Sequence, residues 1–136
     1  MSTQIQPPEE RKMTYLEAIW EAQMEEMERD SSVFLIGEDI RSNLFGSARG
    51  YLEKFGKTRI RNTPLSEAGI VGAGVGAAMA GMRPIVDLTF ASFIYCAMDQ
   101  LVSQMAKSRY MFGGQTTIPL VVRAAMYYSR STAAHH

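Results

Sequence analysis

Apolar and polar residues follow one another along the chain in a pattern that predicts helices alternating with short buried strands. After Thr14, apolar residues recur at steps of three and four, which predicts an amphipathic helix with Thr14 as its N-cap. The apolar positions of that helix are Leu16, Ile19, Trp20, Met24 and Met27. Residues 33–36 then form a short, continuous apolar run, typical of a strand buried on both faces, and Gly37 ends it.

The same alternation continues to residue 122. The predicted elements are, in order, a loop at 42–50, a turn of helix at 51–55 ending at Gly56, a weak strand at 59–63, a glycine-rich helix, a strand at 84–88, a helix at 92–110, a turn at 112–115 and a strand at 118–122. The long helix carries Phe93, Ala97, Leu101, Met105 and Ser108 on one face. From Ala124 to His136 no period is evident. This alternation predicts an α/β fold, a parallel sheet with helices on both faces.

Ligands in such folds bind at the carboxyl ends of the strands. The loops where a site is expected are those after Ile36, Thr63, Leu88 and Val122. Glu38 and Asp39 follow the first strand directly. Carboxylates of this kind can hold Mg²⁺, but we interpret the pair as a structural or interface element.

The helix between Asn62 and Pro84 is unusual because five glycines lie in it, each at a cost of about 1 kcal/mol relative to alanine. The glycines do not match the GxGxxG dinucleotide fingerprint, because position 77 is alanine and because they lie inside the helix. Four small residues share one helix face, namely Gly69, Gly72, Gly76 and Ala80. Such a face predicts the close approach of another backbone, from a neighbouring helix or another subunit.

Glu67 is the single carboxylate at the start of this helix. Ser66 is the predicted N-cap, which places Glu67 at the first helical position, where the helix dipole favours an anion. Two interpretations stay open at this point. The carboxylate either stabilises the helix by on the order of a few tenths of a kcal/mol, or it is a buried acid directed at a ligand.

Composition argues against several classes of protein. The chain has 14 basic and 14 acidic residues, so it has no basic excess to neutralise nucleic-acid phosphates. No run approaches the roughly 18 apolar residues of a membrane span. The single cysteine, Cys96, permits neither an internal disulfide nor a CxxC metal pair. We expect a disordered polar lead-in at residues 1–12, followed by one domain at residues 13–136.

Four motifs occur in order along almost the whole chain: FLIGEDI, RIRNTPLSEAGIVGAGVGAAMAGMRPIVD, AMDQLVSQMAKSRYMFGGQTTIPLVVR and the closing AAHH. Together they resemble the beta subunit of thiamine-diphosphate-dependent 2-oxo acid dehydrogenases, a group that includes the pyruvate, branched-chain and acetoin enzymes. The resemblance runs from Met13 to His136. It covers the transketolase-like pyrimidine-binding domain and implies that the C-terminal domain of the family is absent from this sequence.

The resemblance implies roles for five residues. Glu67 matches the catalytic glutamate that hydrogen-bonds N1′ of the aminopyrimidine ring of thiamine diphosphate. Phe93 matches the aromatic residue that stacks on the pyrimidine, the alternative being a core phenylalanine, and Thr89 lies at a cofactor position where the pyruvate enzymes often carry methionine. His136 matches an active-site histidine, the alternative being a terminal cloning remnant. The backbone carbonyl of Leu120 matches a contributor to the potassium site of some members.

The resemblance also implies a reaction and partners. The reaction is oxidative decarboxylation with acyl transfer to a lipoyl group. The expected partners are an alpha subunit, which holds Mg²⁺ and the cofactor diphosphate, a second beta subunit and a lipoyl-bearing acyltransferase, in the bacterial cytoplasm or the mitochondrial matrix. Two alternatives remain, a transketolase-like or deoxyxylulose-phosphate-synthase-like pyrimidine domain and a non-catalytic interaction fragment. We expect the 136-residue chain alone to be inactive, and to self-associate or be poorly soluble.

Overall fold

In the part of the chain that the structure describes, four parallel strands form one sheet in the order β2-β1-β3-β4. The computed structural model describes residues 11–43 and 46–126. The strands are β1 (Val33–Gly37), β2 (Ile60–Asn62), β3 (Arg83–Phe90) and β4 (Val121–Ala125), and the α-helices are α1 (Tyr15–Arg29), α2 (Tyr51–Arg59), α3 (Glu67–Met79) and α4 (Ser108–Met111). Short 3₁₀ segments lie at Ile40–Ser42 and Ala91–Ala97, and a π-helical segment lies at Gln100–Met105. The predicted α/β class is confirmed.

The core consists of two apolar clusters, one on each face of the sheet. Alternate residues of β1 point to opposite faces, so Val33 and Leu35 join the cluster under α1 and α2, whereas Phe34 and Ile36 join the cluster under α3. Every residue of β1 is buried, as its continuous apolar run predicts. Helices therefore cover both faces of the sheet, as expected from the sequence.

The start of α1 confirms the predicted cap. The Thr14 hydroxyl accepts a hydrogen bond from the backbone N–H of Glu17 at 3.2 Å, and the Glu17 carboxylate accepts one from the backbone N–H of Thr14 at 2.7 Å. This reciprocal capping box satisfies two backbone donors that the helix itself cannot pair. Toward the other end of α1, the fully buried Met27 anchors the helix to the first cluster.

The close approach of α3 to the sheet occurs at a glycine outside the predicted face. A Cβ atom at Gly74 would lie 2.5 Å from Cγ2 of the buried Val86 on β3, so only glycine fits there. On the predicted face, a Cβ at Gly72 would meet Gln100 at an ordinary 3.6 Å, and a Cβ at Gly76 would have no described atom within 4 Å. A partner for the face that contains Gly76 therefore stays a prediction.

Residues 92–110 do not form the single regular helix that was predicted. A 3₁₀ segment, a π-helical segment and the short α4 follow one another instead. The apolar positions Ala97, Leu101 and Met105 are four residues apart, and each such step exceeds an α-helical turn by about 0.4 residue. The wider π-turn, seen in the bond from the Ala106 N–H to the Leu101 carbonyl, keeps these side chains on the core cluster.

Several boundaries differ from the predictions. The strand predicted at 118–122 begins three residues later as β4, because Pro119 has no N–H to contribute to a ladder. The strand predicted at 84–88 is longer in the structure, and the one predicted at 59–63 is shorter. Helix α2 continues past Gly56, whose φ of 72° and ψ of 174° interrupt it at the predicted end.

Candidate functional site

A cavity of about 240 Å³ opens at the carboxyl ends of β1, β3 and β4. Its walls come from the loop after β1, the residues before α3, the end of β3 and the segment that follows it. The lining residues are Glu38, Asp39, Ile40, Asn43, Ser47, Ala48, Leu65, Asp87, Thr89, Phe90, Phe93 and Arg123. Ligands of parallel α/β sheets bind at this edge, so the cavity is the candidate site.

Two phenylalanines form the aromatic wall of the cavity. The rings of Phe90 and Phe93 meet edge to face, with centroids 5.4 Å apart and planes at 86°. Phe93 lies in the 3₁₀ segment that begins directly after β3. The structure thus brings Phe93 and Thr89, two of the residues singled out from the sequence, into one cavity.

Thr89 has a left-handed backbone conformation, with φ at 63°. For a β-branched residue this conformation is a genuine outlier, with a cost of about 1–2 kcal/mol. The strand pairing changes at the same place, because Asp87 pairs with Arg123 whereas Phe90 pairs with Ala125. Strand β3 therefore contains one extra residue, a bulge that turns its end toward the cavity.

A largely buried ion pair holds this bulge. Oδ2 of Asp87 accepts a hydrogen bond from Nε of Arg123 at 2.6 Å and also lies 2.6 Å from Nη2 in the ion pair. Oδ1 of Asp87 accepts a hydrogen bond from the N–H of Thr89 at 2.7 Å. Nη1 of Arg123 also donates to Oε1 of Gln23 on α1 at 2.7 Å and to the carbonyl of Ser47 at 3.4 Å. The pair joins β3, β4, α1 and the loop that precedes α2.

The sequence reasoning missed this pair, although a signal was present. Asp87 and Arg123 are the charged residues at the ends of two apolar runs, PIV and VV. Charged side chains are rarely buried unless they are paired. Because adjacent parallel strands place their carboxyl ends side by side, one acid and one base at such ends predict an ion pair.

Gly37 allows the end of β1 to lie against the cavity. A Cβ atom at this position would lie 2.5 Å from the backbone oxygen of Asp87, so any side chain would force β1 and β3 apart. The next residues, Glu38 and Asp39, line the cavity, and Asp39 has a φ of 50°. The pair predicted to be structural or at an interface therefore borders the candidate site.

Glu67 lies beside the cavity rather than among its lining residues. Ser66 caps α3 as predicted, since its Oγ accepts a hydrogen bond from the N–H of Gly69 at 3.3 Å, and Glu67 is the first helical residue. The side chain of Glu67 is half-buried and forms no hydrogen bond or ion pair within the described ranges. Leu65, two residues earlier, lines the cavity. The catalytic role of Glu67 stays a prediction.

The other two residues singled out from the sequence are not brought to the cavity by the described structure. Leu120 precedes β4 and lines a second groove of about 650 Å³ between α1 and the amino-terminal ends of β3 and β4. His136 lies outside the described residues. Within residues 11–43 and 46–126, no cluster of three or more His, Cys, Asp or Glu residues could hold a metal ion.

The chemistry of the cavity suits a flat ring that carries hydrogen-bonding nitrogens. Phe90, Phe93 and Leu65 offer apolar surface, and the carboxylates of Glu38 and Asp39 offer acceptors. Sites for drug-sized ligands measure about 300–1,000 Å³. A cavity of about 240 Å³ is smaller, so it takes one ring or one end of a longer ligand.

The chain belongs to the family of the transketolase pyrimidine-binding domain, which matches residues 11–136. Among curated proteins it is 46% identical over 132 residues to the 2-oxoisovalerate dehydrogenase subunit beta of Bacillus subtilis, covering 90% of the chain and 40% of that protein. It is 39% identical over 140 residues to the acetoin:2,6-dichlorophenolindophenol oxidoreductase subunit beta of the same organism, covering 93% and 41%. It is 41% identical over 131 residues to the mitochondrial pyruvate dehydrogenase E1 component subunit beta of Bos taurus, covering 95% and 36%.

The matched region is a minor part of each relative. The chain spans 40%, 41% and 36% of the lengths of these three proteins. Family and fold are thus shown, whereas the activity of a whole enzyme is a separate question. None of the helices in the described part of the chain combines the length and apolar character needed to cross a membrane.

Proposed function

We propose that the chain is the pyrimidine-binding part of the beta subunit of a thiamine-diphosphate-dependent 2-oxo acid or acetoin dehydrogenase. The reaction would be oxidative decarboxylation with acyl transfer to a lipoyl group. The observation that carries the proposal is the ring-sized cavity at the carboxyl edge of the sheet, in which Thr89 and Phe93 lie next to the residues that lead into α3. The names of the relatives point to the same class of enzyme.

The residues of this chain would bind and orient the cofactor. Phe93 offers the aromatic face on which the pyrimidine ring stacks, and Thr89 lies beside it on the bulge. The carboxylate of Glu67, at the amino terminus of α3, holds a proton at ring nitrogen N1′. When bound, thiamine diphosphate supplies the carbanion chemistry, and the protein supplies binding, orientation and electrostatics.

Further parts of the proposal concern residues and partners beyond the cavity. His136 would move protons near the substrate, and the carbonyl of Leu120 would contribute to a potassium site. An alpha subunit would hold Mg²⁺ and the diphosphate, and a second beta subunit and a lipoyl-bearing acyltransferase would complete the assembly. The compartment would be the bacterial cytoplasm or the mitochondrial matrix.

The substrate is a 2-oxo acid or acetoin. Identities of 46%, 41% and 39% to the branched-chain, pyruvate and acetoin relatives differ too little to choose among them. A screen of 2-oxoisovalerate, pyruvate and acetoin with an artificial electron acceptor identifies the substrate by the largest kcat/KM. The assay uses the chain within a beta subunit of the relatives' length, assembled with its alpha subunit.

Replacing Glu67 with glutamine tests the central role. The amide keeps the shape of the side chain and loses its charge, so we expect turnover to fall by about 10²-fold or more while the assembly still forms. The control is Glu25→Gln, because Glu25 is an exposed glutamate on α1 away from the cavity. Steady-state rates and size-exclusion chromatography give both readouts. Near-normal decarboxylation by Glu67→Gln would refute the role.

Calorimetric titration of the same assembly with thiamine diphosphate and Mg²⁺ separates the remaining alternatives. Saturable binding by the wild-type assembly supports the proposed function. Binding with transfer of a two-carbon unit to a sugar phosphate, rather than of an acyl group to a lipoyl group, would favour a transketolase-like or deoxyxylulose-phosphate-synthase-like enzyme. No binding with an intact alpha-beta assembly would favour a non-catalytic interaction domain.

A further inference from the structure

Asp87 links its buried ion pair with Arg123 to the strained backbone of Thr89, which lines the cavity. One carboxylate oxygen accepts the hydrogen bond from the N–H of Thr89, and the other is held by two nitrogens of Arg123. The side chains of Asp87 and Arg123 are only 14% and 17% exposed, so solvent competes weakly for these bonds. Both oxygens of Asp87 are therefore engaged, and Oδ1 fixes the direction of the Thr89 N–H.

The bulge at Thr89 determines where the cavity wall lies. Thr89 has a φ of 63°, a conformation that a β-branched residue adopts only when its surroundings impose it. Phe90 follows at once, and Phe93 lies one turn further in the 3₁₀ segment. A change of the Thr89 backbone to the extended region would rotate the chain before both rings and alter the shape of the cavity.

We infer that Asp87, fixed by Arg123, is a positioning residue that locks Thr89 in its left-handed conformation and thereby sets the place of Phe93 for the cofactor ring. The inference rests on the proposed function for the identity of the ring. It assigns to the ion pair a role in ligand affinity in addition to its role in joining β3, β4 and α1. Arg123 acts through Asp87, because its guanidinium holds the carboxylate in the orientation that Thr89 needs.

Two substitutions separate positioning from stability. Asp87→Ala removes the bond to Thr89 and leaves the Arg123 guanidinium without its carboxylate partner. Gln23→Ala removes a different partner of Arg123, on α1 and outside the cavity, and leaves the bond from Thr89 to Asp87 intact. Asp87→Asn is the milder variant in case the alanine variant does not fold, since its amide oxygen still accepts the Thr89 hydrogen bond but its charge is lost.

The measurement is the affinity for thiamine diphosphate with Mg²⁺, made on a beta subunit of the relatives' length assembled with its alpha subunit. We expect Asp87→Ala to raise the Kd on the order of tenfold to hundredfold, because small misplacements of binding groups have effects of that size. At saturating cofactor, kcat should fall less than the cofactor KM rises. Gln23→Ala should lower the unfolding temperature and leave the Kd near the wild-type value, and Asp87→Asn should fall between wild type and Asp87→Ala.

A second readout does not depend on the cofactor. The Thr89 amide should be protected from hydrogen exchange in the wild type and in Gln23→Ala, and should exchange faster in Asp87→Ala. Equal Kd shifts in Asp87→Ala and Gln23→Ala, in proportion to lost stability, would overturn the inference, as would unchanged Thr89 protection. A wild-type assembly that shows the protected amide but binds no thiamine diphosphate would instead refute the proposed function, and with it the role of Asp87 in cofactor affinity.

Discussion

Tyr51 offers a test at the level of a single residue, because it is the most deeply buried ionisable side chain of the first core cluster. Its side chain is fully buried, and its hydroxyl donates a hydrogen bond to the carbonyl of Trp20 at 2.7 Å. Burial raises the pKa of Tyr51 from 10.0 to about 12, and the positive charge of Arg123 opposes this rise only in part. The phenol is thus held in its neutral form.

The sign of the resulting pH dependence follows from linkage. A group whose pKa is raised by folding contributes stability that is fully present below pH 10 and is lost as the pH rises toward 12. We expect the unfolding free energy of the chain to fall across this window, and to fall less steeply in Tyr51→Phe. The variant should also lose about 1 kcal/mol at neutral pH with its hydrogen bond. Urea unfolding at a series of pH values measures the pH dependence and the loss at neutral pH. If the unfolding free energies of the wild type and of Tyr51→Phe fall in parallel with pH, the prediction is wrong.

Residues with local roles could be predicted from the sequence, and residues with long-range partners could not. The caps at Thr14 and Ser66 follow from spacing alone, because each bonds to an N–H three residues away. The ion pair of Asp87 and Arg123 joins residues 36 positions apart, and only the strand order makes them neighbours. The left-handed backbone of Thr89 has no sequence signal, because its cause is the carboxylate held by that distant arginine.

At the level of elements, two glycines of α3 provide a matched pair. Gly74 faces Val86 on β3, where a Cβ would lie only 2.5 Å from a methyl group of a stiff, buried side chain. Gly76 has no described atom within 4 Å of its Cβ position. The same change to alanine therefore has opposite expected effects two residues apart on one helix.

We expect Gly74→Ala to destabilise the chain by about 1–3 kcal/mol through overpacking. Gly76→Ala should stabilise it by about 0.5–1 kcal/mol through better helix propensity. Urea unfolding of the dilute chain measures both values. In the proposed alpha-beta assembly, Gly76→Ala should weaken association, because the added methyl group would keep a second backbone away from that face. If the variant stabilises both the dilute chain and the assembly, there is no reason to expect a partner at that face.

The sequence predicts an element well where the burial of its apolar residues determines its type, and poorly where packing changes its local geometry. The run at 33–36 reads as a strand because all its residues are apolar, and β1 is buried throughout. The segment at 91–105 has helical periodicity, but its contacts with α3 require four-residue steps that a regular α-helix cannot keep in line. Periodicity identifies a helical segment and does not specify its pitch.

For the whole molecule, the distribution of apolar surface bears on how the 136-residue chain behaves alone. Large apolar side chains are exposed around α4, where Tyr110 is 91% exposed, Met111 60% and Phe112 52%. Tyr95, in the 3₁₀ segment Ala91–Ala97, is 76% exposed. The groove between α1 and β4 adds a second apolar surface of Pro119, Leu120 and Val121 among others. A formal net charge of zero supplies no repulsion between copies.

We therefore expect the isolated chain to self-associate in solution, because contiguous exposed apolar surface promotes association. Sedimentation velocity over a concentration series should show species larger than 15.1 kDa, and a dye that binds apolar surface should fluoresce with the protein. Replacing Met111 and Phe112 together with glutamine tests the patch at α4, since both side chains are exposed and neither belongs to a core cluster. This variant should be more monomeric and bind less dye, with secondary structure unchanged by circular dichroism. A wild-type chain that sediments as a sharp monomer without dye binding would show that these surfaces do not drive association. Exposed apolar surface would then give no reason to expect partner subunits, and cofactor binding would be the only remaining reason.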